Sequence, residues 1–373
     1  MKDTILFGDC KETLSEFLPQ SARTCVTSPP YYGLRDYGTA TWIGGDPNCN
    51  HRRDSKVKAE NCNTGHKNHD EMAGVGDAIY KTVCPKCGAI RQDSQIGLEE
   101  TPDEYIESLV SVFREVRNIL TDDGTLWVNL GDSYYNYRPG KGQSYPKQSV
   151  SKTKQDLPDE CNKRGNKLDG LKEKDLIGIP WLFAFAMRND GWYLRQDIIW
   201  HKPNPMPESV RDRCTKSHEY IFLFSKNRKY HYDNEAIKEP AKDWGTRDRT
   251  NGKYHNEGTG LQPHSGLTKS YPTKNKRSVW SVTVKPYKEA HFATYPPDLI
   301  EPCILAGSEE GDTVLDPFMG AGTTAAVAKS LNRHYIGCEL NEDYGNLIQK
   351  RIQDYQPVKK VAQEPCINIL DII

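Results

Sequence analysis

The stretch DTVLDPFMGAGTTAAVAKSLNRHYIGCEL, Asp312–Leu340, decides the fold. Val314-Leu315 reads as a short buried strand with Asp316 at its end. Gly320 to Gly322 makes a tight turn, Thr323 to Leu331 keeps helical spacing, and Tyr335 to Cys338 is a second strand ending in Glu339. Strand, glycine turn, helix and strand form the unit of a parallel α/β sheet, whose ligand crevice lies at the carboxyl ends of the strands. Glycines there let a ligand approach the backbone. A full dinucleotide fingerprint is absent: the run is G-A-G-T-T, with Thr323 and Thr324 where a helix would otherwise receive a pyrophosphate. Glu339, nineteen residues past Gly320, is placed to accept hydrogen bonds from ribose hydroxyls. These features point to a nucleoside without phosphates, and S-adenosylmethionine fits.

Toward the N-terminus, TSPPYYGLRDYG (Thr27–Gly38) is the second unusual stretch. Ala22 to Thr27 reads as a buried strand. Pro29 and Pro30 end it, because neither donates to a ladder and both fix φ. They also hold their preceding carbonyls in set directions, while Ser28 adds a hydroxyl and Tyr31 and Tyr32 add flat faces. The result is a rigid cluster of acceptors beside an aromatic plate.

The 373 residues suffice for one large α/β domain with insertions or for two modest domains. Fifty basic and fifty-one acidic residues nearly cancel, so a polyanion has to be met by local clusters. No apolar stretch is long enough to span a bilayer, and MKDTILFGDC lacks the apolar core and cleavage site of a signal peptide. No membrane partner and a cytoplasmic location are therefore expected. Eleven cysteines in such a chain argue against a disulfide framework and for free buried thiols plus a metal site.

Composition organises the remainder. Residues 1–33 predict strand Thr4–Phe7, a turn at Gly8-Asp9, helix Lys11–Phe17 and strand Thr24–Thr27. Residues 38–97 turn polar and read as an insertion. Within it CPKCG is a zinc knuckle, with Cys84 and Cys87 at C-x-x-C spacing. Cys49 and His51 are the preferred second pair of ligands; Cys62, His66 and His69 are the runner-up. From Thr101 a helix begins with Pro102 in its first turn. DDGTLWVNLGDSYY gives a turn and a buried strand, residues 136–175 a mobile basic loop, then helix Ile179–Met187 and strands Tyr193–Trp200 and Tyr220–Phe224. Residues 238–289 are polar and loop-like, and α/β patterning returns from Ala290.

SPPY followed at a distance by DPFMGAGTT resembles the β-type amino-methyltransferases of DNA, the circularly permuted group of bacterial modification systems and phages. The resemblance covers nearly the whole chain outside residues 38–97. It implies an α/β, Rossmann-like S-adenosylmethionine-dependent methyltransferase fold, with a mostly parallel seven-stranded sheet and helices on both faces. It also implies a division of the chain. Residues 1–37 and 98–237 are the catalytic part, 38–97 a small zinc-binding insertion, 238–289 the target-recognition region, 290–355 the cofactor-binding part and 356–373 a tail. LFGDC matches the segment at the cofactor adenine, placing Asp9 near its amino group, and HFATYPPDLIEPCILAGS matches a helix at the methionine end. The expected cofactor contacts are Asp9, Cys10, Thr27, Asp316, Pro317, Phe318, Gly320, Gly322, Thr323, Thr324, Glu339 and Asn341.

The chemistry follows from the acceptors. An exocyclic amino group is a poor nucleophile, since its lone pair is delocalised into the ring. If the Ser28 hydroxyl and the Pro29 carbonyl each accept one amino hydrogen, the nitrogen is drawn toward tetrahedral geometry and its lone pair is aimed at the sulfonium methyl. The base must first be flipped from double-stranded DNA, and Tyr31 replaces its lost stacking. Pro30 is scaffold. Serine at the first position of the tetrapeptide goes, in the family this chain resembles, with the cytosine amino group and aspartate with the adenine one. N4 of cytosine is therefore expected and N6 of adenine is the alternative.

Three rival functions share some of these features. Pro302-Cys303 is the nucleophile dipeptide of cytosine carbon-5 methyltransferases, but Cys303 lies in an apolar helical run unsuited to a reactive thiolate. Methyltransferases of protein glutamine or RNA resemble the opposite motif order. A zinc-bearing DNA-binding protein without activity would fail to bind S-adenosylmethionine. DNA contact is expected from Lys238 to Lys288, where eleven basic residues face four acidic ones, interleaved with aromatics. The named candidates are Arg247, Arg249, Lys274, Lys276 and Arg277. A cognate restriction endonuclease is a possible further partner.

Overall fold

The structure is a computed structural model that describes residues 2–33, 39–51, 80, 82–135, 168, 170–241, 272–285 and 294–357. In chain order the first half contains β1 (Thr4–Phe7), α1 (Cys10–Thr13), β2 (Ala22–Thr27), β3 (Thr41–Ile43), β4 (Ile90–Gln92), α2 (Pro102–Ile119), β5 (Leu120–Leu130) and α3 (Ile179–Asn189). There follow β6 (Tyr193–His201), β7 (His218–Ser225), β8 (Glu239–Pro240), β9 (Thr273–Lys274), β10 (Val279–Ser281), α4 (Pro297–Gly307), β11 (Thr313–Asp316), α5 (Thr323–Ser330), β12 (His334–Glu339) and α6 (Gly345–Asp354).

Among the described residues the central sheet has eight strands in the order β1-β12-β11-β2-β5-β7-β6-β10. All neighbours pair in parallel except β7, which runs antiparallel to β5 and β6. The expected count of seven is one short. Val279–Ser281, inside the stretch read as polar loop, pairs with Ile199–His201 because Trp280 supplies an apolar anchor, buried in the core. Alternation along the strands splits the core in two. Cys25, Leu126, Val128, Phe222 and Phe224 face α1, α2 and α3. Val26, Trp127, Ile221 and Leu223 face α4, α5 and α6.

Local chemistry sets the elements. At α2, the Thr101 side chain accepts from Glu104 N–H while the Glu104 carboxylate accepts from Thr101 N–H, a reciprocal cap that places Pro102 in the first turn. The predicted helix Lys11–Phe17 is shorter than expected, a four-residue α1 capped by Asp9 and then a 3-10 turn over Leu14–Glu16. Pro19 disfavours helical backbone at Leu18 and stops it there. In β5, Leu120 lies opposite Ala22 and Thr125 opposite Thr24, so the predicted Asp-Asp-Gly turn is a bulge within the strand. Arg23 ties that bulge down through ion pairs to Asp123 and Asp312.

What this topology does for function is to bring remote segments to one edge. β11 pairs with β2, Val314 opposite Thr24 and Leu315 opposite Cys25. The SPPY turn after β2 and the glycine turn after β11 therefore leave adjacent strands on the same side. β7 runs backwards, with Tyr220 opposite Leu130, so its first residues reach that same edge.

Candidate active site and Cys/His cluster

Asp316 is the joint between the two motifs. It has no exposed surface. Its Oδ1 accepts from Thr27 Oγ1 at 2.6 Å and from Phe318 N–H at 3.0 Å, and its Oδ2 accepts from Tyr295 at 3.1 Å and from the Thr324 hydroxyl. Burial pushes the carboxyl upward and these donors oppose the shift. Thr27, Thr323 and Thr324 are buried too. Of the expected cofactor contacts, Asp316, Thr27 and Thr324 thus form a brace beneath the glycine turn. Their four-donor network already occupies the carboxylate.

Above that brace the backbone opens. Gly320 (φ 54°) and Gly322 (φ 80°) are left-handed, and Gly322 is the N-cap of α5. A Cβ at Gly320 would meet only the Phe318 carbonyl, 3.9 Å away, so the space over this residue is free. Glu339 holds the turn from the next strand: its Oε2 accepts from Gly320 N–H at 2.7 Å and its Oε1 from Asn341 N–H at 2.9 Å. Burial raises this carboxyl to about 7, against the pull of those amides. Each oxygen keeps a lone pair for a further donor. Phe7 pairs with Glu339 across β1 and β12, and Gly8 N–H donates to the Glu339 carbonyl, so Asp9 and Cys10 follow alongside. Asp9 caps α1 by accepting from Lys11 N–H, and Cys10 is buried. Pro317 is buried, while half-buried Phe318 packs edge-on against Phe113.

At the other turn, Ser28 Oγ donates to Asn129 Oδ1 at 3.4 Å. The Tyr31 hydroxyl lies 2.8 Å from Glu219 Oε2 and 3.1 Å from Asn129 Oδ1. Burial first and the Glu219 carboxylate second push the Tyr31 phenol well above its ordinary range, so it stays protonated and donates. The Asn129 amide donates to Glu219 Oε2 at 3.3 Å and to the Tyr220 carbonyl at 3.1 Å, which fixes its orientation. Lys202 closes the chain with an ion pair to Glu219 Oε1. Tyr105 donates to the Pro30 carbonyl at 2.8 Å, anchoring the second proline to α2. Among the described residues nothing donates to the Pro29 carbonyl.

Asn129, Lys202, Glu219 and Tyr295 escape the sequence reading. One signal was present for Asn129, a lone polar residue inside the buried run Leu126–Leu130. Glu219 opens the apolar run of β7, and Lys202 directly follows β6. Cys303 is buried, its Sγ within 3.8 Å of the Leu299 carbonyl, and burial pushes its thiol far up. That environment suits packing, not nucleophilic attack.

Of the metal candidates, the structure gathers Cys49, His51, Cys84 and Cys87, whose ligand atoms all lie within 4.8 Å of one another. Cys49 Sγ is 3.7 Å from Cys84 Sγ, and Cys87 Sγ is 3.5 Å from His51 Nδ1. Cys62, His66 and His69 lie outside the described residues, as do Arg247, Arg249 and most of residues 136–175. Lys274, Lys276 and Arg277 converge on one carboxylate, Glu239, at 4.0, 3.8 and 3.3 Å. Three cations on one anion leave a basic surface. Among the described residues no helix is long and apolar enough to cross a membrane.

Comparison with known proteins places the chain. A family model described as DNA methylase, of the N6/N4 type, matches residues 22–350. The chain is similar to the Type II methyltransferase M.SmaI of Serratia marcescens, 40% identical over 353 residues that cover 93% of this chain and 90% of that protein. It is also similar to the Type II methyltransferase M.XycI of Xanthomonas campestris pv. cyanopsidis, 39% identical over 94% of this chain and 87% of that protein. Among solved structures, the PvuII cytosine-N4-specific DNA methyltransferase shares the fold, with a TM-score of 0.53 at 16% identity over 96% of this chain and 89% of that one. The chain belongs to the N6/N4 DNA methylase family. It is an S-adenosylmethionine-dependent DNA methyltransferase, and the two turns at the carboxyl edge of its sheet are where that chemistry is to be sought.

Proposed function

We propose that the protein methylates N4 of a cytosine flipped out of double-stranded DNA, and that Ser28, Pro29 and Tyr31 act on the base while the glycine turn and Glu339 hold the cofactor. The observation that carries this reading is the direction of the Ser28 hydroxyl. Its proton goes to Asn129 Oδ1, so its lone pairs are left to accept. The Pro29 carbonyl stands ready as the second acceptor. Held by both, the amino nitrogen would have its lone pair turned toward the cofactor pocket above the glycine turn, and once methylated it would shed a proton to solvent. Bound S-adenosylmethionine supplies the methyl group and the leaving sulfur. No covalent enzyme intermediate is needed, in keeping with the buried Cys303.

The network Lys202, Glu219, Asn129 is neutral overall and fixes the Ser28 proton and the Tyr31 ring without presenting a free charge to the base. Glu339, with lone pairs to spare, is suited to the ribose hydroxyls, and Asp9 and Cys10 to the adenine end. Serine at position 28 favours cytosine, as does the likeness to a cytosine-N4-specific fold relative. The surface around Lys274, Lys276 and Arg277 is our choice for the DNA backbone, and Arg247 and Arg249 remain candidates from the sequence. The Type II relatives suggest a cognate restriction endonuclease, and a cytoplasmic location suits DNA as substrate.

A structural zinc ion at Cys49, His51, Cys84 and Cys87 completes the reading. For tetrahedral zinc with Zn–S near 2.3 Å and Zn–N near 2.0–2.1 Å, S–S edges are about 3.8 Å and S–N edges about 3.6 Å. Two of the six ligand separations, 3.7 and 3.5 Å, match those edges, and all four ligand atoms lie within 4.8 Å of one another.

The test is Ser28→Ala, followed by tritium incorporation into duplex DNA and by calorimetric binding of S-adenosylmethionine. Loss of about 100-fold or more in turnover at unchanged cofactor affinity is expected. Near-normal turnover would overturn the acceptor role.

A further inference from the structure

We infer that the metal cluster is a strut for the catalytic turn, holding a wall against Pro30 and Tyr31, so that metal loss disables methyl transfer while leaving the cofactor site intact. This rests on the zinc reading above.

The ligands come from two separate arms. Cys49 and His51 follow β3, while Cys84 and Cys87 precede β4. The arms meet in a hairpin of three residues on each side, Trp42 opposite Arg91, too short to be stable by itself. Its apolar residues do little to help: Ile43, Val83 and Ile90 are exposed. What ties the arms is the cluster, supported by Trp42 stacked on His51 at 4.3 Å and by the knuckle bonds Gly88 N–H to the Cys84 carbonyl (2.7 Å) and Cys84 N–H to the Ala89 carbonyl (2.8 Å). A metal there closes a loop whose ends, Cys49 and Cys84, are 35 residues apart. In a segment with so little apolar core, binding free energy is folding free energy.

The second arm then runs into the catalytic turn. Gln95 and Ile96 are buried, and Gly97 lies flat on the backbone of Pro30 and Tyr31. A Cβ on Gly97 would stand 3.0 Å from the Tyr31 carbonyl and 3.5 Å from Pro30, and its φ of 101° excludes other residues as well. Gly33 N–H donates to the Gly97 carbonyl at 2.8 Å, and the Tyr32 hydroxyl to the Glu100 carbonyl at 3.1 Å. SPPY is thus held by the sheet, by Tyr105 of α2 and by this arm. Among the described residues no hydrogen bond joins the glycine turn to either arm. Freeing the arm loosens the acceptors and the stacking ring and leaves the cofactor's supports in place.

The experiment uses the full chain. Elemental analysis of protein purified without chelator should give one zinc per chain. Stripped protein and the Cys84→Ser variant should show faster amide exchange in the peptide spanning residues 28–33, with unchanged exchange over 316–324. They should keep S-adenosylmethionine affinity within about twofold and lose at least about tenfold in kcat, restored in the stripped wild type by added zinc. Zinc present, with normal exchange and kcat after stripping, overturns the strut and leaves the metal site standing. A rise confined to the KM for DNA overturns it in favour of a DNA-contacting module. Absence of zinc in the native protein and no uptake on addition overturns both.

Discussion

Replacing Tyr31 first by phenylalanine and then by alanine separates the two jobs given to this side chain. Phenylalanine keeps the ring and deletes the hydroxyl, which donates to Glu219 Oε2 at 2.8 Å. A hydrogen bond to a charged partner is worth about 1.5–3 kcal/mol. Glu219 retains Lys202 and the Asn129 amide, so the low end applies. About 1.5 kcal/mol corresponds to about a tenfold fall in kcat/KM. Alanine also removes the face proposed to stack on the flipped base, worth a further 1–3 kcal/mol or so, for a total of about 2.5–4.5 kcal/mol and a loss of about 70- to 2,000-fold. Cofactor affinity should stay within about twofold in both, because the Tyr31 hydroxyl is bonded to Asn129 and Glu219 and not to the glycine turn. Steady-state methylation of a duplex oligonucleotide with tritiated cofactor, alongside calorimetry, measures all of this. Equal losses in the two variants would refute the stacking role, and wild-type activity in Tyr31→Phe would refute the role of the Glu219 network.

Glu339 predicts two opposite pH trends. Its folded value of about 7 lies above the ordinary 4.5, so the stability it contributes is full below 4.5 and is lost as pH rises through 7. Ribose hydroxyls donate best to the ionised form, so cofactor affinity should fall below pH 7 by up to about tenfold per unit, and Glu339→Gln should flatten that profile in calorimetry. Cys303→Ala should retain turnover within about twofold while lowering stability by about 1 kcal/mol in a denaturant melt; a stably folded but inactive variant would restore covalent chemistry.

Much of the fold is written in local pattern. β1 spans the residues expected of it, β2 ends ahead of the two prolines, and α2 starts at its capping box. These features depend on neighbours a few residues apart. β10 was missed because three residues around Trp280 carry too little periodicity to show, and only the open edge of β6 makes them a strand. The site divides the same way. SPPY, the glycine turn and the C-x-x-C knuckle are short and rigid, so each is visible alone. The choice of Cys49 and His51 over the alternatives rested on the same locality, since a spacing of one residue lets both reach a shared centre. Asn129, Lys202 and Glu219 become neighbours of Ser28 and Tyr31 only when β7 turns back along β5. No spacing in the chain encodes that. Asp316 shows the converse limit. Its place at a strand end is legible in the sequence, whereas the hydroxyls that hold it, Thr27 and Thr324 from other elements, are not.

The most direct test is nucleoside mass spectrometry of DNA from cells expressing the wild-type protein and, in parallel, Ser28→Ala. N4-methylcytosine should appear with the wild type and fall to background with the variant. N6-methyladenine in its place would contradict the choice of base, and no methylated nucleoside at all from a folded, cofactor-binding protein would contradict the amino-transfer chemistry itself.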